Sequence, residues 1–381
     1  MRYTLKNKDI DILTFEISQD FVAHNGAKQR TTFKQITQII NPHLLPRAMG
    51  DSSINALEKW LRKRQAPQHR EFAHNIFKTL DSADNLVAFL DISLALSLND
   101  SFWIIPADKD YKWCDYNLYD NAFDESLQRI AFGANPHKIS SITLSPEYTT
   151  DGMLPKCWIR KNGDIYLYKG SSKMNDGADE PYSEYYMAQI ASALGFAHIA
   201  YDLGEFCGNL VSSCAIFTNE NEGYLPIHHC LEPSIIKSNK ANLINPIAQI
   251  YGEKDFEDLM LFDALICNTD RHLGNFGMII DNNTNAILRP APIFDNGLSV
   301  MTLFDENNTS EVAHLTSFFE LNLNEQLKRF AQPRHIPHLE KLKDFSFTKH
   351  KKFNINDKWL ESAQRFIQNR ANLAIRFASY K

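Results

Sequence analysis

Between residues 259 and 299 the chain reads LMLFDALICNTDRHLGNFGMIIDNNTNAILRPAPIFDNGLS, an order of elements that few folds accommodate. Leu259, Phe262, Leu265 and Ile266 recur at helical spacing and predict a helix with one apolar face. That helix breaks into a polar loop, Asn268-Thr269-Asp270-Arg271-His272-Leu273-Gly274-Asn275. Two apolar runs follow, Phe276 to Ile280 and Ile287 to Phe294, the second interrupted by Arg289, Pro290 and Pro292. The tract between them, Asp281-Asn282-Asn283-Thr284-Asn285, is rich in turn formers and predicts a hairpin loop. Asp295-Asn296-Gly297 comes directly after the second run.

This order has a chemical reading. An Asp, an Asn five residues on, a hairpin and a second Asp form the layout of a phosphoryl-transfer site. Asp270 would face an acceptor hydroxyl. Asn275 and Asp295 would supply hard oxygen ligands to Mg²⁺, which takes few protein carboxylates and completes its shell with water and phosphate. Alone, D-x-x-x-x-N is more often a polar loop that caps a helix. The hairpin and the second Asp weigh against that simpler account.

Composition narrows the field. A chain of 381 residues predicts two or three domains at roughly 150 residues each, and 25 Phe allow a large core. The net charge of −6 removes a general electrostatic case for binding nucleic acid. No segment approaches the roughly 18 consecutive apolar residues of a membrane span, and the N-terminus lacks the apolar run of a signal peptide. Cysteines 114, 157, 207, 214, 230 and 267 are scattered without a C-x-x-C pair, so a reduced, cytoplasmic protein is expected. His228-His229-Cys230 has no second ligand cluster and reads as structural. The basic tract from Lys341 to Lys358 reads as a solvated surface.

Residues 1–139 are expected to form a mostly helical accessory domain. Phe15 to Ser18 is a short strand candidate and Thr31 to Ile40 is ambiguous. Asn55 to Arg64, Arg70 to Leu80 and Leu86 to Leu98 are predicted helices. From residue 140 the pattern changes. Ile142-Thr143-Leu144 is a short strand candidate. A turn-rich segment, Ser145 to Lys156, precedes Cys157-Trp158-Ile159-Arg160, the turn Lys161-Asn162-Gly163-Asp164 and Ile165-Tyr166-Leu167-Tyr168-Lys169, a predicted hairpin. A loop–strand–turn–strand unit ending on Lys can hold phosphates, with loop N–H groups near Gly152 approaching the anions and Lys169 pairing with them. Ser183 is the expected N-cap of the next helix, which runs to Gly195. Glu184 in its first turn either complements the helix dipole or orients Lys169. Leu210 to Phe217 reads as a buried strand. After residue 299 the clear helices are Phe318 to Phe330 and Trp359 to Phe377.

These segments resemble the HipA-like kinases, which share the fold of protein kinases and phosphatidylinositol-3/4-kinases. Thr150-Asp151-Gly152-Met153-Leu154-Pro155-Lys156 is similar to the family's phosphate loop, Tyr168-Lys169 to its nucleotide Lys and Ser183-Glu184-Tyr185-Tyr186 to its E-Y-Y helix. Asn268 to Asn275 is similar to its catalytic loop and Ile293-Phe294-Asp295 to its metal-binding Asp. Pro292 to Gly297 also resembles a secreted HipA-related kinase. The resemblance implies an α+β, bilobal kinase-like fold with an antiparallel N-lobe (140–219) and a mainly helical C-lobe (220–381), beside the N-terminal, mostly helical domain. It implies an ATP- and Mg²⁺-dependent serine/threonine protein kinase. Asp270, His272 and Lys169 would be catalytic. Gly152, Lys156, Lys169, Glu184 and the hinge Cys214-Ala215-Ile216-Phe217 would bind nucleotide, and Asn275 and Asp295 metal. It also implies a protein substrate and allows autophosphorylation near Thr149 and Thr150, a toxin-type role and an antitoxin partner. The Asp-Arg-His order is shared with phosphatidylinositol kinases, which keeps small-molecule or lipid phosphorylation open, and a partner-inhibited scaffold stands as a non-catalytic alternative.

Overall fold

The computed structural model describes residues 1–23, 27–78, 86–134, 144–172, 180–304 and 315–381. Ile142, Thr143, the 139/140 boundary and the end of the helix expected at Leu80 lie outside them. The fold is α+β, with antiparallel sheets and many helices, and the chain divides into two compact units.

The first unit comprises Met1–Lys169, Thr218–Leu225 and Ile279–Leu288. Its strands are β1 (Arg2–Asn7), β2 (Ile10–Ala23), β3 (Ala27–Ile39), β4 (Phe102–Pro106), β5 (Lys156–Lys161) and β6 (Asp164–Lys169). Its helices are α1 (Ile54–Arg64), α2 (Ala73–Lys78), α3 (Leu86–Ser93), α4 (Trp113–Tyr116) and α5 (Glu125–Ile130). The first four strands form an antiparallel sheet in the order β3-β2-β1-β4. A mostly helical start was expected. The sheet was hard to read because register shifts at Thr14/Phe15 and Glu16/Ile17 interrupt the period-two alternation, and because edge strand β3 is polar, as exposed edges tend to be. Leu13, Phe15 and Ile17 nevertheless turn inward beside Tyr3 and Leu5. Below them Trp60, Phe102 and Trp103 are buried, and Arg64 stacks on Trp60 while its guanidinium takes Asp100 at 2.6 and 2.7 Å. Helix α1 starts one residue earlier than expected, capped by the Ser53 side chain on Ala56 N. Helix α2 starts only at Ala73 because Phe72 is left-handed (φ +63°). Helix α3 stops at Ser93 because Leu94 and Ala95 are left-handed too. Two excursions from later in the chain bring most of three further strands, β9 (Glu222–Pro226), β10 (Gly277–Asp281) and β11 (Ile287–Pro290), in the order β11-β10-β9.

The second unit comprises Gly170–Phe217, Pro226–Met278 and Arg289–Lys381. It holds α6 (Glu180–Leu194), the antiparallel pair β7 (Asp202–Phe206) and β8 (Asn209–Ala215), and helices α7 (Pro233–Ile236), α8 (Ile244–Tyr251), α9 (Glu253–Ile266), α10 (Val300–Leu303), α11 (Leu323–Phe330), α12 (Ile336–Glu340) and α13 (Asp357–Ser379). Helix α9 is its axis. Phe256 and every residue from Leu259 to Ile266 are buried, so this helix is apolar nearly all round rather than on one face. It packs on α8, α11 and α13, and Gln326 and Arg370 donate to its Met260 and Ala264 carbonyls. Cys267 ends α9 in a left-handed conformation (φ +58°) and turns the chain into the loop that follows. Helix α11 starts at Leu323 behind an Asn322–Glu325 capping box, later than Phe318. Among the described residues no helix is long and apolar enough to cross a membrane.

Candidate active site

The loop after α9 is built by its own side chains. Asn268 Nδ2 donates to Asp263 Oδ1 (3.1 Å), and Asn268 Oδ1 accepts from Asp270 N (3.0 Å). The Asp270 carbonyl then accepts twice, from His272 N (2.8 Å) and from Asn275 Nδ2 (2.9 Å). With Nδ2 committed, Asn275 Oδ1 has no hydrogen-bond partner among the described residues, and this oxygen can meet a hard cation. Asp270 and His272 are exposed; Asn275 is buried. His272 Nδ1 accepts from Gly274 N (3.0 Å), which puts the neutral ring's proton on Nε2. The ring lies so close that a Cβ on Gly274 would sit 2.8 Å from it. From behind, His228 Nδ1 donates to the Leu273 carbonyl (3.0 Å), so the His-His-Cys stretch braces the loop. Among the described residues no cluster of three His, Cys, Asp or Glu could hold a metal. The set Asn275 plus Asp295 suits Mg²⁺ instead, because that ion needs few protein ligands once phosphate oxygens are present.

Arg271 brings Asp295 to this loop. Its side chain is 2% exposed and pairs with Asp263, 1% exposed. Nε lies 3.0 Å from Asp263 Oδ2 and Nη2 2.9 Å from Oδ1. Nη1 donates to the Asn275 carbonyl (3.0 Å) and to the Phe294 carbonyl, and Nη2 to Asn296 Oδ1 (2.9 Å). Burial opposes the guanidinium charge, but Asp263 beside it more than compensates and holds Arg271 above its ordinary pKa. Thus one buried cation ties the Asn275 and Asp295 segments together. Asp295 itself is half-buried and left-handed (φ +57°).

Helix α6 anchors the same segment. It begins at Glu180, with Pro181 in its first turn where a missing N–H is harmless. Ser183 is therefore not an N-cap; its Oγ donates to the Asn296 carbonyl (2.8 Å) and meets Ser299 Oγ. Glu184, fully buried, accepts Asn296 N (2.8 Å) on Oε2. Tyr201 completes the set, its hydroxyl accepting Asp295 N at 3.1 Å. Burial, then Glu184, Cys214 and Asp295, hold this phenol well above its ordinary pKa and protonated. The hinge candidates Cys214 and Ala215 end β8, and Ile216 and Phe217 follow. The Phe217 ring lies 5.4 Å from that of Phe294, next to Asp295. A cavity of about 450 Å³ in this unit is lined by Tyr185, His198, Tyr201 and Phe345, and by none of the sequence-predicted site residues.

The phosphate-loop candidates belong to the first unit. Lys156 and Lys169 are opposite partners on β5 and β6, both 8% exposed. Facing pairs on antiparallel strands share one side of the sheet, so both buried lysine side chains leave the hairpin on the same face. Gly152 is left-handed (φ +96°), and a Cβ there would overlap Lys156 Nζ. The positive φ favours glycine here, whereas the flexible end of Lys156 could move aside.

No family model matches the chain. Over 179 residues it is 26% identical to the serine/threonine-protein kinase CtkA of Helicobacter pylori, a match covering 42% of this chain and 54% of that protein. Over that stretch the chain is similar to a HipA-like kinase. It spans about half the length of this curated relative. The crystal structure of the Helicobacter pylori proinflammatory kinase CtkA is similar with a TM-score of 0.42 and 16% identity over 59% of this chain and 94% of that one. A chain from the Shewanella oneidensis toxin–antitoxin complex of HipA, HipB and operator DNA gives 0.45 and 12% over 99% and 97%.

The roles of Asp263, Arg271, Asn296 and Tyr201 and the loop-anchoring role of Ser183 were not expected from the sequence. A signal existed for the first pair: Asp263 is a lone charge inside L-F-D-A-L-I, and a buried charge needs a partner. Tyr201 carries no such signal, because its partner is 94 residues away.

Proposed function

We propose that this chain is an ATP- and Mg²⁺-dependent serine/threonine protein kinase, with residues 1–139 as accessory domain, 140–219 as N-lobe and 220–381 as C-lobe. The observation that carries the reading is the Arg271 bridge. It supports the reading because it holds the Asp270–Asn275 loop and the Asp295 segment in one packed cluster, as phosphoryl transfer to a hydroxyl needs.

Asp270, exposed at the loop's front, orients the acceptor hydroxyl and takes up its proton. A carboxylate is a weak base, which suits a loose transition state where position matters more than proton removal. His272, with Nε2–H outward, donates a hydrogen bond to the transferred group. Asn275 Oδ1 and the Asp295 carboxylate hold the cation, which when bound neutralises phosphate charge. Lys156 and Lys169 pair with the phosphates under the Gly152 backbone, and Cys214 to Phe217 receive the adenine.

The test uses purified protein, Mg²⁺ and γ-labelled ATP beside Asp270→Ala, with any label mapped by mass spectrometry. Label on a Ser or Thr of this chain or of an added protein, absent from the variant, is the expected result. Metal-dependent ATP binding by calorimetry with label only on a small-molecule or lipid acceptor would replace this reading with the phosphatidylinositol-kinase-like one. Neither label nor binding would leave a non-catalytic scaffold.

A further inference from the structure

We infer that Arg271 and Tyr201 are positioning residues that clamp Asp295 in its left-handed conformation, and that this clamp sets how tightly the site holds a divalent cation. The inference rests on the kinase reading above and adds a positioning role for Arg271, which the Asp-Arg-His order contains without a role, and for Tyr201, which lies outside every motif.

The left-handed region is unfavourable for any residue with a Cβ, and such a residue persists only where its surroundings over-determine it. Asp295 is over-determined on both sides. Its own N–H is held by Tyr201 Oη (3.1 Å), and the carbonyl before it by Arg271 Nη1. The residue after it is held three times: Asn296 N by Glu184 Oε2 (2.8 Å), its carbonyl by Ser183 Oγ (2.8 Å) and its Oδ1 by Arg271 Nη2 (2.9 Å). Arg271 uses its whole fork. Nε and one Nη2 hydrogen serve Asp263, the other serves Asn296, and both Nη1 hydrogens serve the Asn275 and Phe294 carbonyls. A guanidinium that only neutralised Asp263 would need two of its five donors. The remaining three go to the two segments that carry the metal ligands. A Lys at 271 keeps the charge but cannot span these acceptors.

A group that fixes a metal ligand from behind typically changes metal affinity by about 10–100-fold when altered. Tyr201→Phe removes only the acceptor for Asp295 N and keeps the ring. It should weaken Mn²⁺ binding about 10-fold, measured by electron paramagnetic resonance titration of full-length protein with a non-hydrolysable ATP analogue. Arg271→Lys should weaken it by about 10–100-fold. A second readout needs no metal. By hydrogen–deuterium exchange on the metal-free proteins, peptides covering 293–299 should exchange faster in Tyr201→Phe, while α9 and α13 keep their protection.

Unchanged exchange at 293–299 together with unchanged Mn²⁺ affinity in both variants would overturn the clamp. So would faster exchange spread over α9 and α13, which marks a merely structural role. If the unsubstituted protein binds no Mn²⁺ with nucleotide, the kinase reading and the metal half of this inference fall together. Localised exchange in Tyr201→Phe would then still show the backbone clamp, so the two failures are told apart.

Discussion

At the residue scale, the two metal-ligand candidates differ in how replaceable they are. Asn275 has two tasks in the proposed site, Nδ2 ordering the loop through the Asp270 carbonyl and Oδ1 as the proposed ligand to the cation. Asn275→Ala should therefore lose both order and metal and reduce phosphoryl transfer by at least about 100-fold, the usual scale for one preorganised polar group at a reacting centre. Asp295→Asn keeps shape but removes the negative charge of the carboxylate and should abolish transfer with little loss of thermal stability. An Asp295→Asn protein with full activity would sink the assignment. Thr149 is a different case. Its hydroxyl is buried and donates to the Leu96 carbonyl at 2.7 Å. Thr149→Val should cost about 1–3 kcal/mol in denaturant unfolding, because the carbonyl is left unsatisfied. For the same reason phosphate should not be found on Thr149 in the folded protein. Thr150, only half-buried, donates to the Pro146 carbonyl and accepts from Trp158 Nε1, so mass spectrometry after incubation with ATP separates the two.

At the element scale, the β5–β6 hairpin and the turn before it show how local chemistry becomes stability. Asn162 and Gly163 are both left-handed (φ +55° and +91°), the pattern of a tight two-residue hairpin turn. Nothing lies within 4 Å of a Cβ built on Gly163. Gly163→Ala should thus cost about 1–2 kcal/mol purely through backbone strain, read as a lowered urea midpoint. Glu147 precedes this hairpin. It is fully buried, accepting from Ser145 Oγ and from Trp158 N at 2.8 Å. Burial, more than those bonds can offset, raises its pKa above the ordinary carboxylate value. The folded protein then keeps this proton to higher pH than the unfolded chain does. Its contribution to stability is full below the unfolded pKa and is lost as pH rises through the raised folded value. Glu147→Gln lacks that loss, so its stability relative to the parent should improve steadily from pH 4 to pH 7 in parallel denaturation curves. A constant difference would mean that Glu147 titrates normally.

At the scale of the whole molecule, ligand linkage gives the broadest check. A nucleotide–metal complex that binds only the folded protein should stabilise it by about 2.7 kcal/mol at 100 times its dissociation constant. The metal-dependent part of that gain should vanish in Asp295→Ala, as scanning calorimetry with and without Mg²⁺ would show. The same scale explains what could be read without coordinates. The sequence by itself determined whatever depends on near neighbours. The left-handed Asn162-Gly163 turn, the Asn268-to-Asn275 loop, the Asp281 turn and the long helix α13 all follow from residue types within a few positions, since backbone sterics and short-range hydrogen bonds decide them. Sheet β3-β2-β1-β4 was not legible, because bulges erase the alternation and pairing joins strands far apart in the chain. The clamp on Asp295 was not legible either. Tyr201 reaches that aspartate's N–H from 94 positions away, and Glu184 and Arg271 hold its two neighbours, Phe294 and Asn296, from 112 and from 23 and 25 positions away. Only the tertiary structure decided it, because desolvation in a packed core is what turns distant polar side chains into obligatory partners.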